Sequence, residues 1–509
     1  MHPAVEVLLS VLTKGKTPGD EAGDEASGVV GSIARVYEKA RSALEYRADH
    51  LARRAAIERI LKRHLMFSRD TKELARQLVV ELKWAKYLGH GDSEVINREE
   101  IEAVIGKYFA AVDGELTYDW VVGVASAEIE EKLNLNVDYR HFTYFAFQVM
   151  KQKIESDEER GVDLLIFIAV DKAYAQSDEQ QIAYHIVKLI EPDWANKDPD
   201  EAVGVLKEAQ QLLKKGLSHK LTGRLVTFVR ANAAPLVLLR DIYFAAPEKF
   251  KELLLDNEMF EKKAKEVLTA QLLQMDKRIG RATFRSVIYI FLTKMIFGLL
   301  FEIPVDLWLA GGIAWTPLAI NLIFPPGLMW LVSTGSWLPG LPEQKSLIRE
   351  TWRVVSSFEN LGRDKTWVGT QPKRRIGFLY TLFSVLYVVI FVAVFGGIFY
   401  LLQLLKFSLA SQIIFVFFLS IVAFFAYRIR QTALVYNWSK NEEDKQSLGD
   451  MIALPILAVG SRLSQGLSRL NFFVFIFDFI LEAPFKTILQ FLERWVQFLS
   501  SKREEMVVG

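Results

Sequence analysis

The stretch IGFLYTLFSVLYVVIFVAVFGGIFYLLQLL, residues 376–405, contains no charged side chain. As a single helix it would be about 45 Å long at about 1.5 Å per residue. This length exceeds the roughly 30 Å hydrocarbon core of a bilayer. The stretch therefore predicts a transmembrane helix that tilts or extends beyond the hydrocarbon core.

Three further apolar segments accompany this one and complete a predicted membrane domain over residues 277–440. Residues 286–301 hold one charged residue, Lys294, and residues 307–342 hold none. Because apolar runs of about 20 residues span a bilayer as helices, we predict four crossings arranged as two hairpins. The predicted segments are 284–303, 307–333, 376–405 and 407–427.

The distribution of basic residues predicts the orientation of these segments, because Lys and Arg favour the cytoplasmic side. Basic residues precede the first segment, fill the loop between the second and third, and follow the fourth. We therefore expect an integral protein of the plasma membrane whose N-terminus and C-terminus are both cytoplasmic. These residues are Lys277, Arg278, Arg281, Arg285, Lys345, Arg349, Arg353, Arg363, Lys365, Lys373, Arg374, Arg375, Arg428 and Arg430.

Two acidic residues lie between the first and second segments, in the sequence LFEIPVD (300–306). The turn holds Glu302 and Asp306 but no basic residue. Pro304 lacks a backbone N–H and is predicted to end the first helix. We therefore expect an outer turn at which both carboxylates reach water.

Prolines interrupt the second segment. Pro317, Pro325 and Pro326 lie in the sequence TPLAINLIFPPGLMW. Helix-breaking residues at membrane depth are tolerated where protein or a watery cavity satisfies the backbone, so one interpretation is a broken or partly re-entrant helix. The other interpretation places the prolines at the membrane surface, so that only one side of the run crosses.

The residues before the membrane domain have the pattern of a soluble helical domain. Apolar side chains recur at helical spacing, without a strong alternating strand pattern. We predict a short helix and a flexible acidic, glycine-rich linker over residues 1–28, and an all-α cytosolic domain over residues 29–276. Within that domain, a helix from Lys249 is expected to pack antiparallel to a helix from Asp200.

Residues 441–509 are predicted to form re-entrant or interfacial pieces and amphipathic helices. Segment 485–499 and the loop helix 346–361 each place apolar side chains on one face, which fits either a membrane interface or a surface of the cytosolic domain. Residues 470–484 are short for a crossing, and Pro484 is a predicted helix break. The expected fold class is all-α, with a cytosolic helical domain, a polytopic transmembrane bundle and amphipathic interfacial helices.

Lys294 lies near the middle of the first segment, where a charged side chain costs roughly 2.5 to 3.5 kcal/mol on insertion scales. Such a residue is usually paired or faces a cavity. Glu302 is about 12 Å further along the helix axis, so we predict that Lys294 pairs with Asp478 or Glu482 instead. The alternative is a lysine that extends its amine to the membrane surface.

Few catalytic chemistries fit this composition. The chain has no cysteine, which excludes disulfides, thiolate metal ligands and cysteine nucleophiles. The seven histidines lack the spacing of a zinc site. A formal charge of +1 argues against a nucleic-acid footprint over the whole surface. We predict no cofactor, no metal and no nucleic-acid partner.

One short element points to an enzyme class. The sequence Ser447-Leu448-Gly449-Asp450 resembles the glycine-x-glycine-aspartate element of presenilin-type intramembrane aspartyl proteases, which use paired carboxylates. The first glycine is replaced by Ser447, and no tyrosine–aspartate pair occurs in a preceding membrane segment. An intramembrane aspartyl protease is thus an alternative function, while the structural interpretation is that Ser447 or Asp450 caps the following helix.

The sequence favours a non-enzymatic function. A large helical domain without catalytic signatures, joined to a membrane bundle, indicates an interaction or scaffold protein that binds a protein partner and holds it at the lipid bilayer. The alternative is a transporter or channel, because of the proline-containing second segment and the intramembrane charges.

Overall fold

The computed structural model of the chain is predominantly helical, which confirms the all-α prediction. Among the described residues, the only strands are two pieces of two residues each. The described residues are 3–12, 49–65, 70–84, 87, 98–110, 116–133, 137–156, 161–298, 302–310, 315–333, 338–356, 365–368, 377–436, 438 and 448–469.

The helices before the apolar segments surround two hydrophobic cores, and a long helix, α13, then leads into those segments. In chain order these helices are α1 (Pro3–Val11), α2 (Asp49–Leu65), α3 (Thr71–Trp84), α4 (Arg98–Ala110), α5 (Tyr118–Leu133), α6 (Val137–Lys153), α7 (Val162–Ala173), α8 (Glu179–Ile190), α9 (Pro199–Ser218), α10 (Thr222–Asn232), α11 (Ala234–Ala245), α12 (Phe250–Leu253) and α13 (Asn257–Phe297).

The first core is built mainly from α2 to α5 together with α8 and α9. Its largest fully buried residue is Trp194, which lies in a 3₁₀ turn between α8 and α9. The indole Nε1 donates a hydrogen bond to the Glu128 carboxylate at 2.7 Å, and the ammonium group of Lys107 lies 4.7 Å from the centre of the indole ring. The indole N–H, the Glu128 carboxylate and the Lys107 ammonium group are therefore paired, as burial requires.

The second core joins α1, α6, α10 and α11 to the first half of α13. It also contains apolar side chains of a helix from the loop after the second apolar segment, α16 (Leu341–Ser356). The aromatic rings of Trp352 in α16 and Phe260 in α13 lie 5.1 Å apart. Of the two interpretations of this loop helix, the structure supports packing on the N-terminal helical region.

A two-residue strand pairing also ties this loop to the N-terminal region. Strand β1 (Ile154–Glu155) follows α6, and it pairs in parallel with β2 (Thr366–Trp367). Near this pairing, the Lys153 ammonium group lies 3.4 Å from the Glu350 carboxylate of α16. The loop between the predicted hairpins is therefore attached to the N-terminal helices at two places.

Local capping fixes where several helices begin. Asp178 caps α8 through a capping box with Gln181. Asp256 accepts hydrogen bonds from the first backbone N–H groups of α13. This cap divides the predicted helix from Lys249 into α12 and α13.

The predicted antiparallel pair of helices is wrong. Helix α9, which contains Asp200, packs against α4 and α8 in the first core, whereas α13 packs against α11 and α16 in the second. Their amphipathic patterns were similar, but the pattern does not identify which of the two cores each helix faces. Helix α13 also continues through the predicted domain boundary at residues 276 and 277.

The remaining apolar helices follow α13, and most of them pack against it or against one another. They are α14 (Ile303–Ala310), α15 (Trp315–Ser333), α17 (Gly377–Leu404), α18 (Leu409–Ala433) and α19 (Leu448–Arg469). We call this group, with residues 279–297 of α13, the C-terminal bundle. Two small clusters of buried apolar side chains lie between these helices. Helix α19 packs along α18 and belongs to the bundle, although its sequence is less apolar.

The prolines do not break helices where the sequence predicted. Helix α13 ends at Phe297, and Pro304 lies in the first turn of α14, where a helix does not need its N–H. Pro317 likewise lies in the first turn of α15, and Pro325 and Pro326 lie inside that helix, which continues through them. Helix α15 begins at Trp315, and Pro484 lies outside the described residues.

Within the described part of the chain, one helix is long and apolar enough to cross a membrane, judged by length and composition. It is residues Ser384–Leu404 of α17, and two shorter apolar helical stretches are Ser411–Ala426 and Ala453–Leu463. This finding gives weak support to a membrane location. The four crossings, their orientation and the plasma membrane remain predictions.

Candidate functional site

Three helices of the C-terminal bundle bring a buried carboxylate together with neutral polar groups. The Glu302 Oε1 atom accepts hydrogen bonds from Asn321 Nδ2 at 2.6 Å and from Ser411 Oγ at 2.7 Å. Glu302 precedes α14, Asn321 lies in α15 and Ser411 lies in α18. Glu302 is 1% exposed and the other two residues are fully buried. We call these three residues the Glu302 cluster.

The second acid of the predicted outer turn is held in the same way. The Asp306 carboxylate accepts a hydrogen bond from Ser408 Oγ at 2.7 Å, and the same hydroxyl accepts one from the Ser411 backbone N–H at 3.2 Å. Asp306 is 3% exposed. The expectation that both acids reach water is therefore wrong, because α15 and α18 cover them and supply hydrogen-bond donors. Their location at an outer turn remains a prediction.

Lys294 is buried in the same bundle. Its side chain is 1% exposed, and its ammonium group lies 4.4 Å from the centre of the Phe418 ring in α18. The structure therefore brings Lys294 against an aromatic face, a favourable position for a cation. Its predicted partners, Asp478 and Glu482, lie outside the described residues, so that pairing remains a prediction.

A cavity of about 590 Å³ lies in the N-terminal helical region, between α5, α6, α7 and α8. This volume is typical of ligand pockets. Its walls combine charged side chains with an aromatic surface that includes Phe147 and Phe167, whose ring centres are 6.0 Å apart. Tyr144 and Leu189 at its edge are each 57% exposed. We call this space the α5–α8 cavity.

Ion pairs line the α5–α8 cavity, and the cation of each pair is the more exposed partner. Arg140 and Lys188 both pair with Glu131, with side-chain exposures of 37% for each cation and 13% for the acid. His185 pairs with Asp171, at 23% and 1% exposure. Arg53 pairs with Glu130 in the same arrangement. The cavity therefore presents cations to a ligand, above a layer of buried carboxylates.

The environment of His185 favours its protonated form. Burial alone would lower the pKa of His185, but the charge and hydrogen bond of Asp171, with a further hydrogen bond to Glu131, raise the pKa to about 10. Burial opposes the ionisation of Glu131 too, yet His185, Arg140 and Lys188 lower the pKa of Glu131 to about 2. These groups are therefore charged at neutral pH and hold each other in place.

Sequence reasoning missed the α5–α8 cavity. Its charged residues come from five helices, and no two of them form a recognised motif. The available signal was a run of charges in otherwise apolar helices, such as Glu130 and Glu131 in α5. Glu130 is buried and the Glu131 side chain is only 13% exposed, and acidic residues are rarely buried without partners.

Asp450 of the protease-like element lies in the first turn of α19, which begins at Leu448. Its side chain and Ser447 are outside the described structure, so the structural interpretation as a cap stays untested. No protein-family model, no curated protein and no solved structure matches this chain. Function is therefore argued from the two sites alone.

Proposed function

We propose that this chain is a non-enzymatic, membrane-anchored binding protein whose N-terminal helical region holds a protein partner through the α5–α8 cavity. The partner segment carries a carboxylate beside an aromatic or large aliphatic side chain. The C-terminal bundle anchors the complex in the lipid bilayer, with the cavity on the cytoplasmic side. The observation that carries this proposal is the cation-lined, partly aromatic cavity.

The anchoring role is supported by apolar side chains on the outside of the C-terminal bundle. In the apolar part of helix α17, only 6% of the residues are buried against the rest of the protein. A continuous apolar surface of this kind is unfavourable in water and fits contact with lipid. Three tryptophans at the ends of α14 and α15 are exposed, as expected for side chains at a membrane interface. They are Trp308, Trp315 and Trp330.

The partner chemistry follows from the charges of the cavity. The carboxylates of Glu131 and Asp171 are already paired, and they lie deeper than their cations. Arg140 and Lys188 retain further N–H donors that can reach a ligand. An acidic group would therefore gain charge-assisted hydrogen bonds, while a cationic ligand would meet like charges at the opening. The walls at Phe147 and Phe167 then accept an apolar side chain.

The linkage between binding and anchoring is supported by helix α13. The helix has one side in the second core, at Phe260 and Leu268, and extends without interruption to Lys294 in the C-terminal bundle. Helix α16 packs across the same part of α13. A partner held by the N-terminal region would therefore be held by a rigid element rather than by a flexible linker.

The experiment uses full-length protein in lipid nanodiscs and a panel of fluorescent peptides. Each peptide carries one Asp or Glu next to Phe, Tyr or Leu, and its matched control replaces the acid with Asn or Gln. We expect acidic peptides to bind at least ten-fold more tightly than their neutral controls. A double variant, Arg140→Gln with Lys188→Gln, should abolish this preference because it removes the two most exposed cations.

A matched control variant removes the same number of positive charges outside the cavity. Lys214→Gln with Lys215→Gln alters two exposed lysines of α9 and should leave peptide binding unchanged. Equal affinity for acidic and neutral peptides would contradict the proposal. Binding of small carboxylates alone, with no gain from the flanking peptide, would show that the cavity takes a metabolite instead of a protein.

The anchoring role can be tested separately because the chain lacks cysteine. A single-cysteine variant at position 501 would be labelled with a membrane-impermeant reagent from each side. Labelling at 501 only from the cytoplasmic side would support the predicted topology. Protein that carbonate washing removes from membranes would contradict anchoring, whatever the peptide experiment shows.

A further inference from the structure

The C-terminal bundle contains buried polar side chains at successive heights along α18. Asp306 contacts Ser408, Glu302 contacts Ser411, and Lys294 lies against Phe418. From Ser408 to Phe418 the helix rises about 15 Å. The acids and the lysine therefore occupy three levels of the bundle.

The same series continues along α13 towards its N-terminal side. Thr283 and Ser286 are 5% and 8% exposed, and Thr283 lies about 16 Å before Lys294 along the helix axis. Residues Ile279 and Ile290 of α13 share a cluster with Val422 and Ala426 of α18, so the two helices run alongside each other over this length. The complete series covers about 31 Å, close to the thickness of a hydrocarbon core.

Several polar atoms of this series have no hydrogen-bond partner among the described residues. They include the ammonium nitrogen of Lys294, the second carboxylate oxygen of Glu302 and the side-chain oxygen of Asn321. The hydroxyl groups of Thr283 and Ser420 also lack a hydrogen-bond partner among the described residues. Buried polar groups without partners are costly, so their accumulation on one path through an apolar bundle calls for a function.

We propose that these side chains form a proton path through the C-terminal bundle, with Glu302 and Lys294 as its two proton-binding stations. The path begins at Asp306 and ends beyond Thr283. The ligand is the proton itself. This inference shares with the proposed function only the insertion of the bundle in a bilayer, and it requires no partner at the α5–α8 cavity.

The packing favours a proton over a larger ion. Glu302, Asn321 and Lys294 are all at most 1% exposed, which means that almost no space for a water-sized sphere adjoins them. A hydrated sodium or potassium ion would have to displace these side chains. A proton needs only carboxylates, amines and hydroxyls that can each bind and release it.

Each transfer balances without a redox partner. When Glu302 accepts a proton, an O–H bond forms on its carboxylate and the donor loses one proton. When the proton passes on to the neutral amine of Lys294, that O–H bond breaks and an N–H bond forms. Lys294 then releases the proton towards Thr283 and Ser286. No electron moves, and one positive charge crosses for each cycle.

Few other charged groups face these two stations. Asp306 of α14 lies on the side of Glu302, while α15, α17 and the buried length of α18 from Leu409 to Phe425 contain no acidic or basic residue. Arg281 and Arg285 lie on exposed positions of α13 beyond Lys294. Asp450 and Arg462 belong to α19, which packs against α18 and α17. The stations are therefore the titratable groups at the centre of the series.

Pro325 adds a further acceptor at the level of Glu302. Proline has no N–H, so the carbonyl group of Asn321, four residues earlier in α15, lacks its helical donor. The side-chain oxygen of the same asparagine has no partner among the described residues. The side-chain oxygen of Asn321 is thus a further hydrogen-bond acceptor next to Glu302.

The experiment measures proton flux into liposomes that contain the purified full-length protein and a trapped pH-sensitive dye. A potassium gradient with valinomycin supplies the driving potential. We expect the wild type to acidify the interior faster than empty liposomes, with the same rate when choline replaces external sodium. Glu302→Gln and Lys294→Met should each reduce the rate at least ten-fold.

Two controls distinguish a specific loss of proton flux from a general effect of removing a charge and from a loss of the proposed peptide binding. Arg285→Gln removes an exposed charge from the same helix and should keep the wild-type flux. The cavity variant with Arg140→Gln and Lys188→Gln should also keep it, and Glu302→Gln should keep acidic-peptide binding. Loss of flux and loss of peptide binding are therefore distinguishable.

A second measurement covers variants that fail to fold. Dicyclohexylcarbodiimide reacts with protonated carboxyl groups in apolar surroundings, and mass spectrometry of the wild type identifies the labelled residue. We expect label on Glu302 and a parallel loss of flux. The proposal is overturned if wild-type flux equals that of empty liposomes, if flux requires sodium or potassium as the carried ion, or if flux persists with Glu302 labelled.

Discussion

Replacing His185 with glutamine should remove a specific pH dependence from the stability of the helices around the α5–α8 cavity. The folded protein raises the pKa of His185 to about 10, against its ordinary value of 6.5. Because the pKa is higher in the folded state, the stabilisation is complete below about pH 6.5 and is lost as the pH rises towards 10. The loss occurs because the unfolded chain has already released its proton.

The size of the effect follows from the number of protons involved. One proton held by the folded state alone changes the free energy of unfolding by about 1.4 kcal/mol per pH unit. Between pH 7 and pH 9 the upper limit is about 2.7 kcal/mol. The His185 side chain is 23% exposed, and solvent screens part of its interactions. We therefore expect a loss of about 1 to 2 kcal/mol in the wild type over this range.

Hydrogen exchange of the full-length protein in detergent, read by mass spectrometry for peptides of α5, α7 and α8, measures the local free energy of opening. The difference between wild type and His185→Gln at each pH cancels the intrinsic exchange rates. We expect this difference to shrink by about 1 to 2 kcal/mol from pH 7 to pH 9.

The matched control is His141→Gln, because burial lowers the pKa of His141 and leaves it neutral in both states above pH 7. This control should retain the pH dependence of the wild type. If His185→Gln also retains it, or if the wild type becomes more stable between pH 7 and pH 9, the assigned charge state of His185 is wrong.

Three further substitutions test the packing. Leu347→Ala in α16 should lower the free energy of unfolding by about 3 kcal/mol in a denaturation assay, because Leu347 is fully buried in the second core. Leu341→Ala, at a 70% exposed position of the same helix, should have little effect. Gly460→Val should prevent α19 from packing on α18, since a Cβ atom at this position would lie 2.0 Å from the Ser420 carbonyl oxygen. Its control is Gly396→Ala, where a Cβ atom would meet no atom within 4 Å. In size-exclusion chromatography the control should behave like the wild type, and Gly460→Val should not. Lys107→Met should lower the free energy of unfolding by about 1 to 3 kcal/mol, as measured by thermal unfolding. The reason is that the Lys107 ammonium group donates hydrogen bonds to the carbonyl oxygens of Trp194 and Ala195 at 2.5 and 3.0 Å. A variant as stable as the wild type would show that water replaces those hydrogen bonds.

The helical fold was predictable because its signals are local. The uncharged run identified α17 closely, since Gly377–Leu404 matches the predicted segment 376–405. Helix ends near proline were predicted poorly. From the sequence, Pro325 and Pro326 were interpreted as a possible helix break, but a helix can continue through prolines where neighbouring helices cover it.

The arrangement of the sites was less predictable than the fold. Lys294 was recognised as unusual from its position in an apolar run, and Glu302 was rejected as a close neighbour because a straight helix would separate them by about 12 Å. In the structure Glu302 is instead hydrogen-bonded to side chains of α15 and α18. The partners Asn321 and Ser411 are 19 and 109 residues from Glu302 in the sequence, and no periodicity joins them.

Helix α13 has a consequence for how the N-terminal region responds to lipid charge. The second core packs on α13 between Phe260 and Leu272, and the uncharged run up to Lys294 begins at Ser286. These positions lie about 20 to 40 Å apart along the helix. The Debye length at physiological ionic strength is about 8 Å, so the surface potential of anionic headgroups decays before it reaches the part of the second core at Phe260 to Leu272. A change in lipid composition should therefore alter the environment of the bundle while leaving the electrostatics of this part of the second core unchanged.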